Sequence, residues 1–89
     1  MIKRGKLEIR RDILIIIEKN NNSIKPTPLL RKSNLATARF KEYIGDLIEK
    51  DLVKEVVENE DRFFSLTEKG FKFLEKYNTI VKFIDEFGL

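Results

Sequence analysis

The hydrophobic pattern of this 89-residue chain changes its period twice. Apolar residues recur at helical spacing as far as Lys50, alternate with polar residues between positions 52 and 66, and return to helical spacing from about Gly70. A helix repeats every 3.6 residues and a strand every two, so one element cannot accommodate both patterns. The sequence therefore predicts a mostly α fold that contains one small β-hairpin before its last helix.

The first helix is predicted at residues 7–19, after a basic segment at 1–6. The β-branched content of residues 13–17 alone would also suit a buried strand. A helix is favoured because the apolar spacing extends upstream and because Asn20, Asn21 and Asn22 then end it. Four isoleucines are predicted to face inward, with Leu7 and Leu14 at the flank: Ile9, Ile13, Ile16 and Ile17.

A second helix is predicted from the sequence Thr27-Pro28 to about Lys32. The threonine hydroxyl can cap free backbone amides, and proline suits the first helical position because it has no N–H of its own. Residues 23–25 are predicted to be extended, since Pro26 disfavours the helical conformation before it. We expect that segment to form a one-residue bridge to a later strand.

The third helix is predicted at about residues 36–50 and follows the second after a tight turn, which makes a helix-turn-helix. Its exposed face is small or basic in the first two turns and acidic in the last two. This distribution suits a helix that enters a nucleic-acid groove by its N-terminal end, although an ordinary surface helix is the alternative. The predicted inward face consists of Phe40, Ile44, Leu47 and Ile48, with Tyr43 at its edge.

The hairpin is predicted at residues 52–57 and 62–66, around a polar turn at 58–61, with Leu52, Phe64 and Leu66 facing the core. Thr67 is predicted to cap the last helix. The apolar stripe of that helix continues beyond Leu74 for roughly 15 Å at about 1.5 Å per residue. An exposed stripe of this kind marks an interface, whereas a tail folded back as additional core is the alternative.

The net charge of +3 hides a strong asymmetry along the chain. Residues 1–41 carry 11 basic and three acidic side chains, for a charge of +8, whereas residues 42–89 carry seven basic and 12 acidic side chains, for −5. The first part suits a polyanion and the second part would be repelled by one.

The composition narrows the possible functions. The chain has no cysteine and no histidine, which excludes thiolate and histidine chemistry, and no pair of carboxylates is arranged for catalysis. We therefore expect neither an enzyme nor a metal, cofactor or small-molecule ligand. The longest apolar run, residues 13–17, is far shorter than the ~20 residues of a membrane span, so a cytoplasmic location is expected.

Four segments resemble the archaeal winged-helix DNA-binding proteins, which are small dimeric proteins with a C-terminal helix that forms an antiparallel coiled coil. The similarity covers about residues 6–77, and the matching segments are Ser33-Asn34-Leu35, Phe40-Lys41-Glu42-Tyr43-Ile44, residues 47–53 and Leu66-Thr67-Glu68-Lys69-Gly70. The resemblance implies a winged helix-turn-helix DNA-binding domain at 1–66 and a dimerisation helix at 67–89.

The resemblance further implies a homodimer that binds double-stranded DNA, as a transcription regulator or nucleoid-associated protein, with the third helix at the major groove. Together with the basic arm and the wing arginine, the predicted DNA contacts are Lys3, Arg4, Lys6, Arg31, Lys32, Ser33, Thr37, Arg39, Lys41 and Arg62. The predicted dimer interface consists of Tyr77, Ile80, Val81, Phe83, Ile84 and Phe87.

Several alternatives remain open at the level of sequence. Arg39 could read a guanine edge or contact a phosphate, and Glu42 could accept from cytosine or pair with Arg39 or Lys41. Ala36 replaces a hydroxyl that relatives tend to carry, and the wing tip at 58–61 is acidic. The main rival is a winged helix that docks other proteins and does not bind DNA. RNA binding is less favoured, because no aromatic residues are interleaved with the basic cluster.

Overall fold

The computed structural model describes residues 5–89, which form four helices and one two-stranded antiparallel sheet. This confirms the predicted mostly helical winged helix with a hairpin before a long last helix. In chain order the elements are α1 (Lys6–Lys19), α2 (Pro26–Ser33), α3 (Thr37–Glu49), β1 (Val53–Glu58), β2 (Asp61–Leu66) and α4 (Glu68–Glu86).

Helix α1 lies at the centre of the core, in contact with α2, β2 and α4. Ile9, Ile13 and Ile17 are buried as predicted, but so is Leu14, which the sequence placed at the flank. Ile16 is only partly buried against the core. A helix covered by neighbours on more than one side buries a wider face than a helix packed on one side, which explains why Leu14 is inside.

A single bridge joins the segment between α1 and α2 to the wing, as predicted. The backbone N–H of Ile24 donates to the carbonyl oxygen of Phe64 at 3.1 Å, and the Phe64 N–H donates back at 2.8 Å. Both side chains are buried. The bridge therefore fixes the base of the hairpin to the helical part of the domain.

Helix α2 begins two residues earlier than predicted, at Pro26, and Thr27 lies inside its first turn instead of capping it. Lys25 is the N-cap residue and makes no side-chain cap hydrogen bond. The fixed φ of Pro26 is already suited to the first helical position, so no capping hydroxyl is needed to start the helix. The helix ends at Asn34, whose left-handed conformation (φ 57°) asparagine tolerates.

Helix α3 buries Phe40, Tyr43, Ile44 and Leu47. The sequence placed Tyr43 at the edge and Ile48 inside, but Ile48 is 38% exposed. The four buried residues follow the i, i+3, i+4, i+7 spacing of one helical face, and Ile48 lies one position beyond it. The face opposite the core is therefore centred on residues Ala38, Glu42 and Gly45.

The wing is a tight hairpin in which Val53 pairs with Leu66 at the base and Glu58 with Asp61 at the tip. The predicted four-residue turn shortens to Asn59-Glu60, which both have positive φ (49° and 71°), as in a type I′ turn that matches strand twist. The predicted core residues are confirmed: Leu52, Phe64 and Leu66 are buried. Val53 is buried as well, which the sequence analysis missed.

Helix α4 is anchored in the domain at one end and projects from it at the other. Thr67 caps it as predicted, because its Oγ1 accepts from the Gly70 N–H at 3.0 Å. Leu74 is buried and Tyr77 is half-buried, but every residue from 78 to 89 is exposed. The alternative in which this segment folds back as additional core is therefore wrong.

Gly70 lies where α4 passes closest to the start of the wing. A Cβ atom at this position would be 2.3 Å from the carbonyl oxygen of Leu52, which is backbone and cannot rotate away. The Leu52 carbonyl also accepts from the Thr67 N–H at 3.2 Å. The first turn of α4 can therefore pack against the backbone of Leu52, just before β1, only if residue 70 lacks a side chain.

We predict that Gly70→Ala lowers the free energy of unfolding by about 1–3 kcal/mol, because the new methyl group forces α4 away from the wing. Gly45→Ala is the matched control, since a Cβ there meets nothing within 4 Å. It should stabilise the protein by about 1 kcal/mol through helix propensity. Urea unfolding followed by circular dichroism measures both. A Gly70→Ala variant as stable as the wild type would contradict the close packing.

Candidate nucleic-acid interface

The cations of the first half of the chain differ in whether an acidic group neutralises them. Arg10 donates to Asp46 at 3.1 Å, and Lys25 lies 3.8 Å from Asp61. Arg11 pairs with its neighbour Asp12. Within residues 5–89, no ion pair is found for the remaining cations of the first half, which are Lys6, Lys19, Arg31, Lys32, Arg39 and Lys41.

An open groove of about 250 Å³ lies between the start of α1 and α3. Its lining includes Lys6, Arg10 and Arg39. The Arg39 guanidinium lies 5.9 Å from the centre of the Tyr43 ring, a distance at which the cation is attracted to the aromatic face. This groove therefore brings three cations from two helices together on one side of α3, beside the carboxylates of Glu42 and Asp46.

Asp46 lies at the edge of the same groove and joins α1 to α3 through Arg10. A hydrogen bond from Lys50, together with the charge of Arg10, holds the pKa of the Asp46 carboxyl below its ordinary value of 3.8. The carboxyl is therefore ionised at neutral pH and remains paired with both cations. Arg10 was not predicted as part of the site, because the two members of the pair are 36 residues apart and no local spacing connects them.

A second groove lies on the other side of α3, between that helix, α2 and β2. Its lining includes three predicted site residues, Thr37, Lys41 and Arg62, and its apolar part is formed by Leu30, Phe40, Ile44 and Phe64. The structure therefore brings predicted residues of the third helix and of the wing to one place. The first half of α3 lies between two grooves that both carry cations.

The remaining predicted DNA contacts are distributed differently. Lys32 is exposed but lines a separate groove with Ile15 and Lys19, between α1 and the end of α2. Arg31 is exposed and borders none of these grooves. Lys3 and Arg4 lie outside the described residues.

Ser33 requires a correction as a predicted DNA contact. Its side chain is only 1% exposed, and its hydroxyl donates to the carbonyl oxygen of Leu30 at 2.7 Å. A buried hydroxyl that is already hydrogen-bonded cannot contact a phosphate at the surface. Ser33 therefore stabilises the end of α2, which a serine beside an exposed turn does not reveal in the sequence.

Arg62 in the wing is held by an acidic partner. Its Nε donates to Glu55 Oε1 at 3.1 Å and a terminal nitrogen donates to Oε2 at 2.8 Å, which is a bidentate ion pair. The hydrogen bond with Arg62 lowers the pKa of Glu55, and the same contact raises the pKa of Arg62. The sequence analysis identified the arginine but not the partner seven residues before it.

Glu42 was expected either to pair with Arg39 or Lys41 or to accept from a base. Within the described part of the chain, neither pairing is found and no other cation holds Glu42. The side chain lines the first groove and is exposed. An unneutralised carboxylate therefore lies beside the free cations of α3.

The projecting part of α4 exposes large apolar side chains. Ile80, Phe83 and Phe87 are 55%, 54% and 63% exposed, and the rings of the two phenylalanines lie 4.8 Å apart. Tyr77, at the root of this part, is only half-buried and carries the Arg11 guanidinium 5.1 Å from its ring centre. Val81 and Ile84 are also exposed, so five of the six predicted interface residues are exposed and Tyr77 alone among them packs on the domain.

Two structural features are not found in residues 5–89. None of the helices formed there is long and apolar enough to cross a membrane. The same residues contain no group of three or more acidic side chains that could hold a metal ion.

Comparison with solved structures gives the same fold. Sso10a-2, a DNA-binding protein from Sulfolobus solfataricus, superposes with a TM-score of 0.75 at 20% identity, covering 94% of this chain and 85% of that one. F93 from STIV, a winged-helix DNA-binding protein, gives 0.74 at 20% identity, covering 90% and 92%. SSV1 F-93 gives 0.64 at 27% identity, covering 88% and 91%.

Comparison of sequences assigns the family. The uncharacterized protein MJ0290 of Methanocaldococcus jannaschii is 30% identical over 83 residues, which is 93% of this chain. The chain spans 36% of the length of that relative. The model of a winged helix-turn-helix family matches residues 3–85, nearly the whole chain. The resemblance seen in the sequence is confirmed, and this protein belongs to the winged helix-turn-helix family.

Proposed function

We propose that this protein binds double-stranded DNA with the first half of α3 in the major groove. The observation that carries the proposal is the pair of cations Arg39 and Lys41, which are exposed, free of acidic partners and located on either side of one short helix segment. Lys6 and Thr37 line the adjoining grooves. Two structural neighbours, Sso10a-2 and F93 from STIV, are described as DNA-binding, which supports the same function here.

The shape and electrostatics of α3 fit this placement. The major groove of B-DNA is about 12 Å wide and admits an α-helix. The N-terminal end of a helix carries a partial positive charge that favours nearby phosphates. Two of the three acidic residues of α3, Asp46 and Glu49, lie in its second half, so the N-terminal end approaches DNA with the least repulsion. The acidic wing tip keeps its distance, and α1 and α3 supply most of the phosphate contacts.

We further propose that the projecting part of α4 pairs with a second copy of the chain. Leu74 belongs to the domain core, so the DNA-binding unit extends to about residue 74 and the dimerisation segment follows it. The six predicted interface residues of each copy make twelve side chains in the dimer. At ~1.5 kcal/mol each for partial burial, they contribute ~18 kcal/mol before the cost of association. Association costs about 4–15 kcal/mol, so the balance favours a dimer.

The proposed dimer determines how the protein would contact DNA. Two copies of α3 on one two-fold assembly would contact two half-sites at a fixed spacing. This arrangement serves a transcription regulator or a nucleoid-associated protein, either of which acts on the chromosome in the cytoplasm. The competing function is a winged helix that binds only other proteins, and DNA retardation at low salt separates the two.

Arg39→Ala and Lys41→Ala are expected to weaken DNA binding. A lost phosphate contact lowers affinity for all duplexes alike and reduces the slope of log K against log salt by about 0.9. A lost guanine contact instead costs about 1–3 kcal/mol on specific duplexes only. Gel retardation across a salt series measures both slopes and affinities.

The control is Lys82→Ala, which removes the same charge from the projecting part of α4. Absence of a shift by the wild type at low salt would favour the protein-binding alternative.

Glu55→Gln is expected to strengthen DNA binding by releasing Arg62 from its ion pair. One additional phosphate contact increases the magnitude of the slope of log K against log salt by about 0.9. Glu58→Gln makes the same charge change at the wing tip, and no cation within residues 5–89 is paired with Glu58. Equal effects of the two variants would show that Arg62 does not reach the DNA.

Ile84→Asp is expected to yield monomers, because it places a charge in the apolar face of the projecting helix. Ile84 is exposed in the single chain, so the fold should survive and the far-ultraviolet circular dichroism should be unchanged. Sedimentation velocity reports the oligomeric state. Thr79→Asp, on the polar side of the same helix, is the control. A dimer that persists in Ile84→Asp would place the interface elsewhere.

A further inference from the structure

We propose that Glu42 determines the DNA sequence preference of this protein by accepting a hydrogen bond from the N4 amino group of cytosine. The inference rests on the proposed DNA-binding function and adds a specific base contact to it. Its starting point is the position of one free carboxylate at the centre of the proposed interface.

Glu42 lies on the outward face of α3, between two residues with little or no side chain. Phe40, Tyr43 and Ile44 point into the core, so Glu42 faces away from it. One turn earlier the same face carries Ala38, and one turn later it carries Gly45. A Cβ atom at Gly45 would meet nothing within 4 Å, so packing within the chain does not require a glycine there. The backbone of α3 can therefore approach another surface closely on both sides of Glu42.

Lys6 lines the same groove as Glu42 but forms no ion pair with it, and the other cations of the two grooves are engaged elsewhere or lie apart from Glu42. Arg10 is bonded to Asp46, and the Arg39 guanidinium lies over the Tyr43 ring. Lys41 lines the groove on the opposite side of the helix. The Glu42 carboxylate is therefore not held by an ion pair within the described residues, and a complex with DNA must supply a hydrogen-bond donor to compensate for its desolvation.

The major groove offers such a donor at few positions. Guanine presents the acceptors N7 and O6, thymine the acceptor O4, adenine the acceptor N7 beside its N6 amino group, and cytosine the N4 amino group. Next to adenine, the second carboxylate oxygen would be repelled by N7. Cytosine has no acceptor beside its amino group on the same base, so it is the base that a carboxylate accepts best.

The expected discrimination is large enough to define a binding motif. One good base contact of this kind discriminates by about 5- to 150-fold against the wrong base. A wrong base leaves the carboxylate facing acceptor atoms, which also lowers the affinity for random DNA. Glu42 therefore acts by favouring one base and by weakening non-specific binding, whereas a cation that contacts phosphate strengthens non-specific binding.

Selection from a pool of randomised duplexes tests the proposal with the full-length protein. The wild type is expected to enrich duplexes with cytosine at one position of each half-site. Glu42→Ala should lose enrichment at that position alone and bind random DNA more tightly. Glu49→Ala is the matched control, because Glu49 is exposed in the last turn of the same helix and should leave the motif unchanged.

Retardation of two matched duplexes then quantifies the contact. Replacing the selected C·G pair by T·A should weaken wild-type binding by about 5- to 150-fold and leave the Glu42→Ala variant nearly unaffected. The proposal is overturned if the wild type and Glu42→Ala select the same motif, or if the wild type binds tightly without selecting any motif. A wild type that shifts no duplex at low salt would overturn the proposed function itself.

Discussion

The structure depends on the burial of α1 against several neighbours at once. Ile13, Leu14 and Ile17 are fully enclosed because α2, β2 and α4 all pack on this helix. A small domain has no second core, so these contacts decide how the other elements are oriented. The root of α4 packs against α1 while α3 is joined to α1 through Arg10 and Asp46. The central helix therefore relates the proposed DNA-reading helix to the projecting one.

The cations of the described residues fall into two groups, those paired with an acidic side chain and those without such a partner. Asp46, Glu55 and Asp61 hold Arg10, Arg62 and Lys25, and these pairs join elements within the domain. The cations of α3 remain free. Exposed ion pairs contribute little to stability, since solvent screens them, so their main effect is on where positive charge is available. Within the described residues, the unpaired cations of the first half therefore include Arg39 and Lys41 on α3 and Lys6 in the adjoining groove, whereas Lys19, Arg31 and Lys32 are unpaired but lie elsewhere.

The sequence was sufficient to predict the elements and insufficient to predict their contacts. Changes of hydrophobic period predicted the hairpin and the last helix, local start and stop signals predicted the first three helices, and Pro26 predicted an extended segment at 23–25. The burial of Leu14 and Ser33 depends on neighbours distant in sequence, and the Arg10–Asp46 pair spans 36 residues. Gly70 belongs to the recognised segment 66–70, but only the structure shows that the Leu52 carbonyl excludes a side chain there. Local patterns therefore predicted local structure, and long-range packing determined which site residues are accessible.

The projecting helix has a mechanical consequence for DNA recognition. Residues 71–86 contain neither proline nor glycine, and the Arg11–Tyr77 contact braces the helix where it leaves the domain. In the proposed dimer the two domains are thus joined by a stiff helical connection, which fixes the angle between the two copies of α3. Inserting one base pair between half-sites rotates one relative to the other by about 35°. A rigid connection cannot follow that rotation without torsional strain, so in the proposed dimer the spacing of half-sites would become part of what is recognised.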